Sequence, residues 1–185
     1  LLAFGLVAVA VPFAWPLLGT YQQERIMVLI DPTFDAQGIG ARYHSKINLL
    51  SLTGGGLTGQ GLFNGNRTQS GSLFAQHTDY IFSSMGEELG FVGACLIIVL
   101  FALLIWRGYT IALHAKDRFG MLIAVGITTQ IGMQVMLNIA VVTNTIPNTG
   151  ISLPMFSYGG TSLCMILGEL GILLAVSRQG IYEKE

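Results

Sequence analysis

The sequence predicts an all-α polytopic membrane protein with four transmembrane helices and a large extracytoplasmic loop. Two observations lead to this fold class. Hydrophobic residues make up 52% of the 185 residues and charged residues only 10%, whereas a typical soluble domain carries about 25% charged residues. Four apolar segments also approach the length of about 20 residues that a helix needs to cross the hydrocarbon core. We therefore expect one membrane domain whose surface is largely solvated by lipid.

The four predicted spans are apolar runs bounded by charges or turn formers: residues 1–19, 78–107, 119–142 and 159–178. Three connections and a tail complete the chain: residues 20–77, 108–118, 143–158 and 179–185. The first run has neither a preceding basic region nor a small-residue cleavage site, which favours a true span over a signal peptide. Because the chain starts inside an apolar run without an initiating Met, we expect it to be a piece of a longer protein with further helices upstream.

Basic residues predict the orientation, because short cytoplasmic loops carry an excess of Lys and Arg. They lie around the second connection and after the last span: Arg107, Lys116, Arg118, Arg178 and Lys184. We therefore place residues 108–118 and 179–185 in the cytoplasm and the other two loops, residues 20–77 and 143–158, outside it. The net charge of −1 and the scattered basic residues give no basic patch, so we expect no nucleic-acid partner.

The long outer loop contains an amphipathic segment followed by a glycine-rich one. Four apolar residues recur at three- and four-residue steps, which predicts an interfacial helix over about residues 39–52: Ile39, Tyr43, Ile47 and Leu50. Such a helix either lies in the membrane interface, where it would steer an anionic headgroup, or packs on the spans of its own chain. The glycines from Gly54 to Gly71 permit left-handed backbone, either close to a bulky ligand or in a plain mobile loop.

Three carboxylates stand at the entrance of the second predicted span. An ionised group at membrane depth costs about 2.5 to 3.5 kcal/mol, so it indicates a functional site by default. Asp79 lies where water has access but apolar neighbours lower the dielectric, which favours a general base; a helix N-cap is the alternative. Glu87 and Glu88 lie about 12 to 14 Å deeper along a helix. Adjacent helical positions diverge, so we expect one of them to face Asp79 and the other a neighbouring helix.

Polar residues also recur in the third and fourth spans. Gln130, Gln134 and Asn138 follow one another at four-residue spacing, which predicts a polar stripe that forms hydrogen bonds between helices. Glu169 in the fourth span is the natural partner for that stripe. The connection over residues 145–162 contains two prolines and three glycines, which forbid a continuous helix. Irregular backbone is tolerated near a membrane where it lines a cavity, so we expect a cavity wall there.

Several ordered motifs resemble the SEDS family of shape, elongation, division and sporulation proteins, which includes FtsW, RodA and SpoVE. The principal motifs are residues 77–82 (HTDYIF), 86–90 (GEELG), 147–150 (PNTG) and 153–162 (LPMFSYGGTS). Further matches are Arg25, residues 31–32 (DP), residues 54–57 (GGGL) and the pair Gln134 and Asn138. The matches keep the family's order over nearly all of the chain.

The resemblance implies that the chain is the last four helices of a ten-helix bundle in the bacterial plasma membrane. It implies a peptidoglycan glycosyltransferase that polymerises lipid II into glycan strands at the outer face, in cell shape, division or sporulation. The implied partners are lipid II, membrane lipids and a class B penicillin-binding protein that acts as transpeptidase. A lipid II flippase and a non-enzymatic scaffold for a cell-wall synthase are the alternatives. We expect the fragment alone to be inactive.

The resemblance assigns Asp79 as the catalytic carboxylate. The charge of an undecaprenyl pyrophosphate leaving group needs cations, either a divalent metal (Mg²⁺ or Mn²⁺) or basic loop residues. We expect no organic cofactor and assign no residue as a metal ligand. The candidate substrate-binding residues are His77, Thr78, Lys46, Arg67, Glu87, Glu88, Pro147, Thr149, Gly150, Ser157, Tyr158, Gly159 and Gly160.

Overall fold

A computed structural model describes residue 16 and residues 19–30, 41–66 and 79–179. Within these ranges the regular structure is helical and contains no strand. The helices are α1 (Thr20–Ile30), α2 (Ala41–Gly54), α3 (Ile81–Leu113), α4 (Arg118–Val142) and α5 (Gly160–Gln179). The predicted span over residues 1–19 lies outside the described residues, apart from Pro16 and Gly19.

Three of these helices, α3, α4 and α5, are long and apolar enough to cross a membrane, with mean hydropathies of 2.8, 1.5 and 1.7 in their most apolar windows. They coincide with three of the four predicted spans. Helix α3 continues to Leu113, past the predicted boundary at residue 107, so the connection to α4 is shorter than predicted. Asp117 closes this turn, because its Oδ2 accepts from the Gly120 amide at 3.2 Å and caps α4.

Helix α3 is interrupted at Gly90, where the backbone has φ 72° and ψ −172°. An unbroken helix of 33 residues would extend about 50 Å, far more than the roughly 30 Å of hydrocarbon. Before the break, residues 81–89 contribute buried polar side chains; after it, Phe91 and Leu96 are 63% and 59% exposed. Residues 91–113 alone extend about 35 Å, enough to span. Gly90 thus separates a buried helical segment from the membrane-spanning part.

A loop fills the gap that the break opens in the helical hydrogen bonding. In a continuous helix, the carbonyls of Glu87 and Glu88 would accept from the amides four residues later. Here the loop over residues 55–61, which we call the glycine loop, provides donors to these two carbonyls and acceptors for the two amides. Its four bonds run from Gln60 N to Glu87 O (3.0 Å), Gly61 N to Glu88 O (3.0 Å), Phe91 N to Gly56 O (2.9 Å) and Val92 N to Leu57 O (3.2 Å).

Glycine is required where the loop meets the helix. A Cβ atom on Gly59 would lie 2.1 Å from the Glu88 carbonyl oxygen, and one on Gly90 would lie 2.2 Å from the Gly59 nitrogen. Gly59 also has φ +81°, a conformation that glycine adopts without steric cost. Two backbones therefore touch directly, and neither position accepts a larger residue without displacing the other chain segment.

Helix α2 packs on α3 through a polar face as well as an apolar one. Asn48, Ser51, Ser83 and Glu87 are all buried, at 1%, 0%, 0% and 0% exposure. Asn48 Nδ2 donates to the carbonyl oxygen of Val142 at the end of α4 (2.8 Å), and its Oδ1 accepts from the Ser83 hydroxyl. Ser51 Oγ donates to Glu87 Oε2 at 3.3 Å. Asn48 therefore joins α2, α3 and α4.

The apolar pattern located α2 and part of its buried face. Ile47 of the predicted apolar stripe is half-buried and packs against the apolar core, whereas Tyr43 and Leu50 are 42% and 43% exposed. The interfacial position of this helix stays a prediction, whereas its packing on α3 is observed through Asn48 and Ser51.

Within the described ranges, the apolar core forms two clusters at opposite ends of the helices. The first lies beneath the N-terminal end of α3 and includes Tyr80, Phe82, Phe101, Val142 and Leu153. The second joins α3, α4 and α5 near the short turn after α3, and consists of Ala112, Ala124, Leu173 and Val176. The first cluster supports the start of α3 and the connection that follows α4.

Replacing Gly90 tests the contact between the glycine loop and α3. We expect Gly90→Ala in the full-length protein to lower the free energy of unfolding by at least about 1 to 3 kcal/mol, the typical cost of such backbone for a non-glycine residue. The clash with Gly59 adds to this. The readout is the apparent Tm of purified protein in detergent. Gly126→Ala is the control, because nothing lies within 4 Å of its Cβ position; equal Tm values for the two variants would contradict the contact.

Replacing Asn48 tests the polar joint between three helices. We expect Asn48→Leu to destabilise the protein by about 1 to 3 kcal/mol, because it leaves the buried Ser83 hydroxyl and the Val142 carbonyl without this partner. The neighbouring substitution Leu49→Ala, at a side chain that is 42% exposed, serves as the control. An Asn48→Leu protein as heat-stable as wild type would refute the structural role of this amide.

Candidate active site

Asp79 lies in the turn immediately before α3. Its side chain is half-buried, whereas those of Tyr80 and Phe82 are 5% and 3% exposed. Tyr80 is the N-cap residue of α3, and its own side chain forms no capping hydrogen bond. The Asp79 carboxylate is therefore not used as the N-cap of this helix, which was the structural alternative to a chemical role.

Asn138 of α4 fixes the main chain of Asp79. The Asn138 side chain is completely buried. Its Nδ2 donates to the carbonyl oxygen of Asp79 at 3.0 Å and to the carbonyl oxygen of Ile151 at 2.8 Å. One amide group thus ties the start of α3 to the irregular connection between α4 and α5.

Asn148 forms a second tie between the same two segments. Its Nδ2 donates to the Tyr80 hydroxyl at 2.8 Å, and its Oδ1 accepts from the Gly150 amide at 2.9 Å. Arg25 of α1 approaches from another side, where its Nη1 donates to the Asn148 carbonyl oxygen. The connection is therefore held in place by side chains from α4, from the connection itself and from α1.

Gly150 brings the connection close to the Asp79 carboxylate. The Cβ position of Gly150 lies 3.9 Å from Asp79 Oδ2, which is van der Waals distance. Gly150 has φ +71° and is exposed. The Asp79 carboxylate therefore faces bare main chain on one side and solvent beyond it.

The second half of the connection forms a closed turn. The Ser157 hydroxyl accepts from the Leu153 amide at 2.8 Å, and the Ser157 amide donates to the Leu153 carbonyl oxygen at 3.1 Å. Leu153 and Pro154 are buried beneath this turn, while Tyr158 above it is 85% exposed. Gly159 is half-buried, and exposed Gly160 begins α5.

The structure brings only some of the predicted substrate-binding residues to Asp79. Gly150 lies beside it, with half-buried Pro147 and exposed Thr149 in the same connection. Lys46 is exposed on α2. Three predicted residues lie outside the described part of the chain: His77, Thr78 and Arg67.

Glu87 and Glu88 differ in their surroundings. Glu87 is completely buried and contacts Ser51 of α2, so it is the member of the pair that meets a neighbouring helix. Glu88 is half-buried, and its carbonyl oxygen accepts from the glycine loop. The expectation that one member of the pair faces Asp79 stays a prediction.

The polar stripe of α4 forms the hydrogen bond expected with α5. Gln130 Nε2 donates to Glu169 Oε1 at 2.8 Å, which confirms Glu169 as a partner of the stripe. Asn138, at the other end of the stripe, instead bonds main-chain carbonyls at the candidate site.

No group of three or more His, Cys, Asp and Glu side chains that could hold a metal ion occurs within the described ranges. An ionised carboxylate in the position of Asp79 can accept a proton or a hydrogen bond.

Sequence reasoning missed three residues that build this site: Tyr80, Asn138 and Asn148. The four-residue polar spacing singled out Asn138, but only as a residue for contacts between helices. Nothing in the local sequence shows that the amide of Asn148 would reach the Tyr80 hydroxyl, because the two residues are 68 positions apart.

Residues 1–182 match the profile of the family described as cell cycle protein, FtsW/RodA/SpoVE. The stage V sporulation protein E of Bacillus subtilis is 46% identical over 88% of this chain and 43% of its own length. The peptidoglycan glycosyltransferase MrdB of Escherichia coli K12 is 38% identical over 92% of this chain and 46% of its own length. The chain thus spans somewhat less than half of these relatives.

Solved structures agree with the sequence comparison. A structure described as "structural coordination of polymerization and crosslinking by a peptidoglycan synthase complex" matches 97% of this chain and 49% of its own, with a TM-score of 0.72 and 33% identity. A crystal structure of an Asp-to-Ala mutant of the rod shape determining protein RodA of Thermus thermophilus matches 80% of this chain and 44% of its own, with a TM-score of 0.57 and 33% identity.

The expectation drawn from the motifs is therefore confirmed: the three membrane-length helices belong to a multi-pass membrane protein, and the chain is a member of the FtsW/RodA/SpoVE (SEDS) family of cell cycle proteins.

Proposed function

We propose that the protein is a peptidoglycan glycosyltransferase that polymerises lipid II at the outer face of the bacterial plasma membrane, with Asp79 as its general base. The observation that carries the proposal is the placement of the Asp79 carboxylate. It is half-buried at the start of α3, its main chain is held by Asn138, and it faces the exposed main chain of Gly150. The names of MrdB and of the matched synthase complex support the reaction class.

In the proposed reaction, Asp79 accepts the proton of the acceptor sugar hydroxyl. The hydroxyl oxygen forms a bond to the anomeric carbon of the donor sugar, and the bond from that carbon to the pyrophosphate oxygen breaks. Undecaprenyl pyrophosphate leaves with the electron pair. A base acts here only if it lies within hydrogen-bond reach of the proton that it takes, so the acceptor hydroxyl must enter the space between Asp79 and Gly150.

The leaving pyrophosphate needs positive charge near it. We propose Lys46, exposed on α2, and Arg67 as basic residues that provide it. A divalent cation would serve the same purpose, but the described ranges contain no group of three ligands for one.

A partner enzyme completes the proposal. The matched solved structure is of a synthase complex that coordinates polymerisation with crosslinking. We propose that the full-length protein likewise works with a class B penicillin-binding protein, the transpeptidase that crosslinks the strands. The exposed apolar faces of α3 and α5 are compatible with further protein contacts.

Neutralising Asp79 tests the proposal directly. We expect Asp79→Asn in the full-length protein, copurified with its transpeptidase, to reduce polymerisation of fluorescent lipid II by about 10²- to 10⁴-fold, the usual contribution of a general base. Asp117→Asn is the matched control, because Asn also caps helices well and Asp117 lies at the other end of α3. Its rate should stay near that of wild type.

Undiminished polymer formation by a stably expressed Asp79→Asn protein would reject Asp79 as the base. Transport of lipid II across vesicles by the wild-type protein without polymer would instead support the flippase alternative. Normal complementation of a deletion strain by Asp79→Asn would support the scaffold.

Gly150 provides a second test, because it forms one wall of the space beside the carboxylate. A side chain at φ +71° costs about 1 to 2 kcal/mol, and it shifts the main chain that faces Asp79. We expect Gly150→Ala to lower the polymerisation rate at least tenfold while the apparent Tm changes by only a few degrees. Gly171→Ala in α5, where nothing lies within 4 Å of the Cβ position, should retain its rate. A fully active Gly150→Ala enzyme would place the acceptor elsewhere.

A further inference from the structure

Asn138 is the buried polar residue whose contacts bear most directly on Asp79. Its side chain is fully buried within α4. Both of its described hydrogen bonds as a donor end on main-chain carbonyl oxygens, one at Asp79 and one at Ile151. The two acceptors are 59 and 13 residues away along the chain, so this amide joins segments that local folding would not bring together.

The chemistry of the two acceptors sets the orientation and identity of the side chain. Carbonyl oxygens only accept hydrogen bonds, so the NH₂ group of Asn138 must point toward them. A carboxylate of the same shape has no donor, a leucine has none, and a serine has one. Only an amide of this length offers two donors from one atom in the space available.

We infer that Asn138 is a positioning residue for the base: it sets the separation between the Asp79 carboxylate and the connection that carries Gly150. This inference rests on the proposed function. The acceptor hydroxyl has to fit between the two segments that Asn138 ties together. A misplacement of about 1 Å at a reacting group costs on the order of 10²-fold in rate. Loss of the two Asn138 hydrogen bonds would therefore lower the reaction rate even where the displacement is too small to prevent folding.

The remaining contacts explain why the fold should survive without this amide. Asn148 Nδ2 still bonds the Tyr80 hydroxyl, and Arg25 still bonds the Asn148 carbonyl. Tyr80 and Leu153 also stay packed in the apolar cluster beneath the site. The connection therefore remains near α3, but its position relative to Asp79 is no longer fixed.

The test compares Asn138→Leu with Gln134→Leu in the full-length protein copurified with its transpeptidase. Leucine has the branched shape and the number of side-chain heavy atoms of asparagine, with bulkier methyl groups, and it removes both donors. Gln134 lies one turn earlier on the same helix and is half-buried, so it controls for loss of an amide in a membrane helix. We expect Asn138→Leu to lower kcat about 10²-fold and to change KM less than threefold, while Gln134→Leu stays within threefold of wild type in both.

A double-mutant cycle distinguishes positioning from general damage. If Asn138 acts through Asp79, the pair Asp79→Asn and Asn138→Leu should be no slower than Asp79→Asn alone. Multiplication of the two losses would overturn the inference. If Asn138→Leu lowers the apparent Tm more than the control does, Asn138→Ser is used instead. Because serine keeps one donor, its kcat should lie between those of Asn138→Leu and wild type. A kcat no better than that of Asn138→Leu would overturn the inference.

The outcomes also separate the two proposals. If Asp79→Asn is inactive and Asn138→Leu behaves like Gln134→Leu, only the positioning role is wrong. If Asp79→Asn retains full activity, both the proposed function of Asp79 and the role of Asn138 are overturned.

Discussion

The structure depends on how the backbone amides and carbonyls that the break in α3 leaves without helical partners find new hydrogen-bond partners. Around Gly90, α3 lacks the backbone hydrogen bonds that join residues four apart in a continuous helix. The glycine loop supplies two donors and two acceptors in their place. Unpaired backbone groups are costly wherever water has no access. The glycine loop therefore completes the backbone hydrogen bonding of α3 at the break. Its close approach to α3 requires glycine in both segments.

The same principle organises the candidate site. The connection between α4 and α5 has no regular structure before α5, so its carbonyls need partners from side chains. Asn138 and Arg25 supply donors to Ile151 and Asn148. These bonds also place Gly150 opposite the Asp79 carboxylate, so the residues that satisfy the irregular backbone are the ones that shape the space beside the proposed base.

The sequence was sufficient for the features that depend on composition and spacing. Apolar length located α3, α4 and α5, and the four-residue polar spacing located the bond from Gln130 to Glu169. The sequence motif around Asp79 identified the family to which the chain belongs. The polar contact face of α2 was not predictable, because Asn48 and Ser51 look like surface residues until their partners in α3 and α4 are known. The break at Gly90 was not predicted for a similar reason. A single glycine in an apolar helix is common, and only the packing of the glycine loop against α3 shows that the helix is interrupted there.

The break in α3 has a consequence for how the chain enters the membrane. Insertion reads the hydrophobicity of a nascent segment, and residues 91–113 contain a single charged side chain, Arg107. They are apolar enough to insert without residues 81–89, which carry Glu87 and Glu88. Glu87 has its buried position where α2 docks, and Glu88 its half-buried one beside the glycine loop. The break thus lets the apolar part of α3 insert on its own hydrophobicity, while the two carboxylates lie in a segment that packs against protein.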